Sequence, residues 1–245
     1  MRARRIVALL LTATLLLAAC GSDKDDDEGA SGRTSTTDSS DEGSNDDEES
    51  SDADDQDLAD ALVLMASDLP DDFVEQDDDD SDDDDGPLDA CLGDDADTLK
   101  DNTAKSDSND FETDERFAFS SAAVFESRKK AEAAMEVFGA EGIRECFRDA
   151  VVDGIEEEAE ADGDEPPGLD VTLDDLSFPD VGDEVVSFRA NITITIEGQD
   201  LEFPFDVIFV RTGRAIGFYA FAALGESFPQ ADSRAAVESA LARAA

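Results

Sequence analysis

A stretch of strict alternation in the second half of the chain decides the fold. Residues 186–197 have the sequence VSFRANITITIE, in which apolar side chains from Val186 to Ile196 alternate with polar ones from Ser187 to Glu197. Successive side chains of a strand point to opposite faces of a sheet, so this pattern predicts a strand with one buried and one solvent-facing side.

The residues that follow predict two more strands in a meander. Residues 201–209 alternate towards the same core, and Pro204 fits there only at a sheet edge or a bulge, because it has no N–H to donate. Thr212-Gly213 predicts a tight hairpin turn. The returning strand, 215–223, is apolar on both faces, so another element must cover its second side. We expect the helix predicted at 232–243 to supply part of that cover.

Upstream of the meander, the apolar spacing predicts two further strands, at 116–126 and 169–178. It also predicts three helices: one from Asp57 that ends before Pro70, one capped by Ser127 that ends at Gly139, and one after Gly142. Residues 156–167 are predicted to form a solvent loop. The expected class is α+β, with a mainly antiparallel sheet of about five strands, a C-terminal three-stranded meander and packed helices.

The N-terminus predicts the compartment. Three arginines precede an apolar segment too short to span a bilayer, and the segment ends in Leu17-Ala18-Ala19-Cys20. These four residues resemble the lipobox of bacterial lipoproteins. The resemblance implies that residues 1–19 are a signal peptide and that Cys20 is lipidated, which would hold the protein at the outer face of the bacterial cell membrane. The alternative is an ordinary cleaved signal that leaves a free cysteine.

Composition divides the mature chain in two. Residues 20–56 are rich in Ser, Gly, Asp and Glu and contain no aromatic side chain, so they predict a lipidated cysteine followed by a disordered acidic tether. Residues 57–245 are expected to form a single α+β binding domain.

Charge excludes several functions. The chain has 66 acidic and 18 basic residues, a net charge of −48, and no histidine. This charge excludes nucleic acid as a partner, and the lack of histidine removes the usual catalytic triads and the common zinc sites. Nothing spaces the acidic runs as metal ligands. We therefore expect no catalysis, no cofactor and no metal.

Two cysteines remain after lipidation, Cys91 and Cys146. An even number of cysteines outside the cytoplasm predicts a disulfide between them. A reactive thiol pair is the alternative, although the two residues lack the Cys-x-x-Cys spacing and a histidine.

Four phenylalanines are candidates for a binding site. We expect most of the fifteen phenylalanines to belong to the core. One subset could instead line an apolar cleft between sheet and helix and hold a small apolar ligand. The subset consists of Phe203, Phe205, Phe218 and Phe221. The alternative is that these four side chains only pack the core.

Several of these motifs together are similar to a known family. They are the lipobox, Asp68-Leu69-Pro70 with Phe73, the pair Cys91 and Cys146, the strand and helix over 123–138, and the terminal meander. Over residues 57–245 they resemble the PknH-type extracellular sensor domain and its lipoprotein relatives. The resemblance implies an extracytoplasmic module with a ligand-binding cleft. The chain departs from the kinase members in having no kinase domain and one cysteine pair where two disulfides are expected, so signalling by phosphorylation is not implied.

The expected function is that of a membrane-anchored extracytoplasmic lipoprotein, a non-catalytic ligand-binding or sensor-like module. Its expected partners are the cell membrane, through the lipid anchor, and a small apolar ligand or another envelope component. The alternative is an acidic structural or cation-buffering protein of the cell envelope, which would use its carboxylates as a polyelectrolyte.

Overall fold

The computed structural model describes residues 52–76, 98–99, 101–161, 168–196 and 198–245, and within them eight strands and four main helices. The strands are β1 (Val74–Gln76), β2 (Asn102–Asp107), β3 (Asp110–Glu112), β4 (Arg116–Phe125), β5 (Gly168–Asp175), β6 (Glu184–Ile196), β7 (Gln199–Thr212) and β8 (Ala215–Ala223). The helices are α1 (Asp52–Leu62), α2 (Arg128–Gly139), α3 (Glu141–Ala161) and α4 (Gln230–Arg243), with a 3₁₀ turn at Ala66–Asp68. The predicted α+β class is confirmed.

The strands form one open sheet in the order β1-β3-β4-β8-β7-β6-β5, and β2 lies beside β3 along the same side of β4. Every pairing is antiparallel, and the predicted meander of β6, β7 and β8 is confirmed. The prediction of about five strands missed β1, β2 and β3. These three are short and rich in polar residues, so they carry too little apolar alternation to be recognised.

Helices α2 and α3 cover one face of the sheet, here called the α2–α3 face. Phe147 of α3 packs there on Phe188 and Phe205, in a cluster that runs from β4 to β6. As predicted, Ser127 caps α2, and its side chain accepts a hydrogen bond from the Lys130 N–H. The apolar side chains that alternate with polar ones along the strands therefore form the main core on this side of the sheet.

Helices α1 and α4 cover part of the opposite face, here called the α1–α4 face. Val237 and Ala240 of α4 pack on Tyr219 and Phe221 of β8. Residues Ala59 and Leu62 of α1 pack with Val124 of β4, among others. Strand β8 is buried along its whole length, and the prediction that the last helix supplies part of the cover on its second side is confirmed.

Two helices differ in extent from the predictions: α3 is longer, whereas α1 begins before the predicted start at Asp57 and ends at Leu62, well before Pro70. Helix α3 continues through the acidic residues 156–158 that were predicted to lie in a loop, because Val151, Ile155 and Ala159 extend its buried stripe at four-residue spacing. Helix α1 begins at Asp52, five residues before the predicted start of the domain at Asp57 (57 − 52 = 5). Its extra turn contains Asp55, which is bonded to Arg214.

Pro204 occupies the kind of position that its missing donor requires. It lies in β7 opposite Asn191 of β6, whereas the pairing of β7 with β8 stops at Phe205. On the side of β7 that faces away from β6, Pro204 therefore lies beyond the end of the pairing with β8. The N–H that proline lacks is not needed there for a hydrogen bond between strands.

Candidate functional site

The four candidate phenylalanines do not lie on one surface. Phe203, Phe205 and Phe218 belong to the core on the α2–α3 face, whereas Phe221 belongs to the core on the α1–α4 face. All four are buried, with at most 6% of any one exposed. A cleft lined by all four would have to pass through the sheet, so the structure places these rings in two cores. Their proposed role in binding an apolar ligand stays a prediction.

The cysteine predictions fall largely outside the described part of the chain. Cys20 and Cys91 both lie outside the described residues. Cys146 lies on α3, is 6% exposed, and is disulfide-bonded. It belongs to a small apolar cluster with Ile143 and Ala150, apart from the main core. The identity of Cys91 as its partner stays a prediction.

One half of the α1–α4 face carries polar side chains in place of apolar ones. We call this region the open face and define it by nine residues of β5, β6 and β7. They are Asp170, Thr172 and Asp174 of β5, Asn191, Thr193 and Thr195 of β6, and Asp200, Glu202 and Pro204 of β7. All nine are exposed or half-buried. The neighbours that alternate with them on β6 and β7, such as Ile192 and Phe203, are buried in the core on the other side.

The strand register arranges the open face in rows. One row joins Asp170, Thr193 and Glu202, and the next joins Thr172, Asn191 and Pro204. Within the face, the Asn191 side-chain amide donates to Asp174 at 2.8 Å and the Thr195 hydroxyl donates to Asp200 at 2.7 Å. These bonds hold the side chains on a pleated surface that still offers carboxylate and hydroxyl oxygens to solvent.

An ion pair closes the open face at the end nearest α4. Arg189 of β6 lies opposite Asp206 of β7, and the Asp206 side chain is 3% exposed. Nη2 of Arg189 donates to the Asp206 carboxylate at 2.8 Å. The Arg189 Nη1 also donates to the Ser227 hydroxyl at 2.7 Å. Hydrogen bonding to Asp206 raises the pKa of Arg189, so the guanidinium stays charged and the pair is neutral.

The remaining charge of the open face is negative. Asp170, Asp174, Asp200 and Glu202 carry carboxylates, and Arg189 is already neutralised by Asp206. Among the residues that the structure describes, no group of three or more side chains is arranged to hold a metal ion. The open face is therefore an acidic hydrogen-bonding surface, able to attract a cationic partner by its field and to orient it by its polar groups.

Three other ion pairs with buried members hold the fold together. Asp55 of α1 is bonded to Arg214, Asp68 of the 3₁₀ turn to Arg243 of α4, and Arg211 of β7 to Asp183. Sequence reasoning missed all three. No local sequence pattern indicates these pairs. Among 66 acidic residues, the sequence does not show which carboxylates will contact an arginine that is distant along the chain.

Two of these carboxylates, Asp68 and Asp183, have a lowered pKa. Burial raises the pKa of Asp68, but hydrogen bonds from Arg243 and Ser239 outweigh burial and lower it. A hydrogen bond from the Gly213 N–H lowers the pKa of Asp183. Burial raises the pKa of the Tyr219 hydroxyl, which donates to the Leu62 carbonyl at 2.9 Å. The Asp68 and Asp183 carboxylates are thus held as stable anions.

None of the helices in the described ranges combines the length and the apolar composition that crossing a bilayer requires. The fold and the open face define an α+β protein in which an antiparallel sheet is only partly covered by helices on one side. No family model, curated protein or solved structure matches this chain. The similarity to PknH-type sensor domains stays a prediction.

Proposed function

We propose that this protein is a lipid-anchored extracytoplasmic module that binds a ligand without transforming it, and that the open face is its binding surface. The observation that carries the proposal is the polarity of the open face. On the α1–α4 face, helices α1 and α4 cover strands β4 and β8. On the open face, in contrast, polar side chains from the three adjacent strands β5, β6 and β7 remain accessible. An accessible sheet face with hydrogen-bonded polar groups suits recognition of a partner surface.

The position of the buried acidic groups supports a binding role over a catalytic one. A general acid works best when its pKa lies near the operating pH, which needs burial without a cation. The buried carboxylates of Asp55, Asp68 and Asp206 each face an arginine. Each of these carboxylates is thus held in a contact with a guanidinium, which suits a fixed structural role.

The anchor is tested by metabolic labelling of the full chain with a palmitate analogue. We expect the wild-type protein to carry the label and the Cys20→Ser variant to lack it, because the lipid would be attached to the sulfur of Cys20. A wild-type product that is neither labelled nor processed would contradict the anchored part of the proposal.

The binding surface is tested by native mass spectrometry of the protein purified from its own membrane. We expect a ligand adduct of defined stoichiometry that is lost in Thr193→Lys, because a lysine at the centre of the open face blocks it sterically and weakens its negative charge. The matched control is Ala235→Lys, which places the same side chain on the exposed side of α4. An adduct that survives Thr193→Lys would contradict the assignment of this surface.

The alternative, a cation-buffering polyelectrolyte, predicts a different result in the same preparation. Exposed carboxylates without an ordered ligand set bind calcium weakly and with no fixed stoichiometry. Absence of any adduct, together with weak calcium uptake that does not saturate at an integer ratio, would favour that alternative.

A further inference from the structure

Strand β5 forms one end of the sheet, and among the described strands it is hydrogen-bonded to β6 alone. It is eight residues long, from Gly168 to Asp175. The backbone N–H and C=O groups along the outer side of such a strand are a template for another extended chain. An added strand would bind through main-chain hydrogen bonds, and the alternating side chains would select its sequence.

The strands at the opposite end of the sheet are less suited to pairing. Strand β1 has only three residues. Strand β2 has six, but it lies under α1, and the side-chain amide of Gln56 already donates to its Lys105 carbonyl at 2.9 Å. Strand β5 is therefore the longest edge in the described part of the chain that could take an added strand.

The two faces of β5 differ in chemistry. Leu169, Val171 and Leu173 are half-buried and pack against the core on the α2–α3 face. Asp170 and Asp174 are exposed on the open face. A strand added beside β5 would therefore meet an apolar row on one face and carboxylates on the other.

This alternation decides which partner fits. A second copy of β5 would place exposed aspartates beside Asp170 and Asp174, and like charges across a strand pair are destabilising. A strand with basic side chains at these positions gains attraction instead, while its intervening apolar side chains extend the row of Leu169, Val171 and Leu173.

We propose that the outer edge of β5 accepts an extended segment of a partner protein in which basic and apolar side chains alternate. This inference rests on the proposed function, since the basic side chains of the added strand would lie at the margin of the open face. It names the class of partner as a cationic β-strand, and it assigns main-chain pairing as the source of affinity.

Two peptides test main-chain pairing on the full-length protein. The first has eight residues, the length of β5, and alternates lysine with valine. The second has the same side chains and charge, but every backbone nitrogen is methylated, so it cannot donate to a strand edge. We expect calorimetry to give binding of the first peptide and at least about tenfold weaker binding of the second, because several main-chain hydrogen bonds are lost. We also expect amide exchange to slow in β5 when the first peptide binds.

Two double variants locate the contact. Asp170→Asn with Asp174→Asn removes the carboxylates beside the edge, and we expect roughly three- to tenfold weaker binding of the first peptide, as for the loss of two exposed ion pairs. The matched control is Asp57→Asn with Glu136→Gln, which removes the same charge from exposed positions on α1 and α2, outside the open face, and we expect it to weaken binding less than about twofold.

The opposite results overturn the inference. They are no binding of the first peptide, equal binding of the two peptides, equal weakening by the two double variants, or no change of exchange in β5. Each of these can occur while the native adduct still depends on Thr193, in which case the open face keeps its proposed function and only the strand-pairing partner is rejected.

Discussion

The Asp55 carboxylate on the first helix accepts a hydrogen bond at 2.9 Å from Nη1 of Arg214, which lies 159 residues later in the turn between β7 and β8. The Thr103 hydroxyl of β2 also bonds to Asp55, and Arg214 Nη1 donates to the Phe125 carbonyl at the end of β4. The Asp55 carboxylate therefore joins α1 to β2 and to the turn between β7 and β8, and through Arg214 to the end of β4. Asp55 lies in the last residues of the predicted tether, 20–56, which the structure places in α1, so this pair fastens that end of the predicted tether to the domain.

We expect Asp55→Asn to loosen α1 before the rest of the protein unfolds. The substitution removes the negative charge opposite Arg214, and the loss of hydrogen bonds to a charged group should destabilise the helix by about 2 kcal/mol. Amide exchange of residues 58–62 reports it, and the amides of β8 should change much less. The control is Asp57→Asn, an exposed position on the same helix. Equal exchange in the two variants would contradict the role of the pair.

A second prediction concerns pH and the Asp68 pair. Asp68 accepts hydrogen bonds from Arg243 Nη1 and the Ser239 hydroxyl, both at 2.6 Å, and from the Met65 N–H at 2.8 Å. Its pKa is lowered in the folded state, so its ionised form stabilises the fold above the unfolded pKa of about 3.9, and this contribution is lost as pH falls through the folded pKa. We expect Asp68→Asn to lower the free energy of unfolding by about 2 kcal/mol at pH 7.

Urea unfolding of wild type and Asp68→Asn at several pH values measures this effect. The difference between the two proteins should shrink as the medium is acidified below about pH 4. Comparing variant with wild type at each pH removes the general effect of neutralising the many other carboxylates. Asp71→Asn, at an exposed position three residues away, is the control and should show a small difference at every pH. A difference for Asp68→Asn that stays constant down to pH 2 would contradict the assignment.

A third prediction follows from Gly182, in the turn before β6. Its φ is +67°, and an added Cβ would lie 2.7 Å from both the Arg211 carbonyl oxygen and Val210 Cγ1. We expect Gly182→Ala to destabilise the protein by at least about 2 kcal/mol, since left-handed strain adds to a backbone clash. Gly225→Ala, at φ +76° in open space, controls for the strain alone and should cost about 1 kcal/mol. Equal thermal shifts in these two variants would show that the close contact has no effect.

A fourth prediction concerns the predicted bond between Cys91 and Cys146. Alkylation of the denatured, unreduced mature protein should add no label to wild type and one label to Cys91→Ser, and mass spectrometry counts the additions. Closing a loop of this length should stabilise the fold by about 4 kcal/mol in the chain-entropy model, so Cys91→Ser should unfold at lower denaturant. Two labels on the wild-type protein would show that both thiols are free.

Much of the fold could be predicted from periodicity. The alternation of 186–197 and the two-sided apolar character of 215–223 predicted the antiparallel meander and the need for a cover on both faces. The length of α3 could not be predicted from its polar residues, because its acidic residues 156–158 suggested a loop while Ile155 and Ala159 continued the buried stripe. The candidate phenylalanines were assigned to one cleft because sequence spacing does not reveal that Phe221 and Phe218 point to opposite faces of β8 when a whole strand is apolar.

The sequence by itself determined the class of the fold, since strand periodicity and apolar stripes are local properties that the chain carries wherever it folds. Only the tertiary structure decided which carboxylates are buried against arginines and which remain on the open face. That choice depends on contacts such as Asp206 with Arg189 and Asp55 with Arg214, which join residues up to 159 positions apart. In a chain so rich in acid, the surroundings of each carboxylate distinguish it, and folding creates those surroundings.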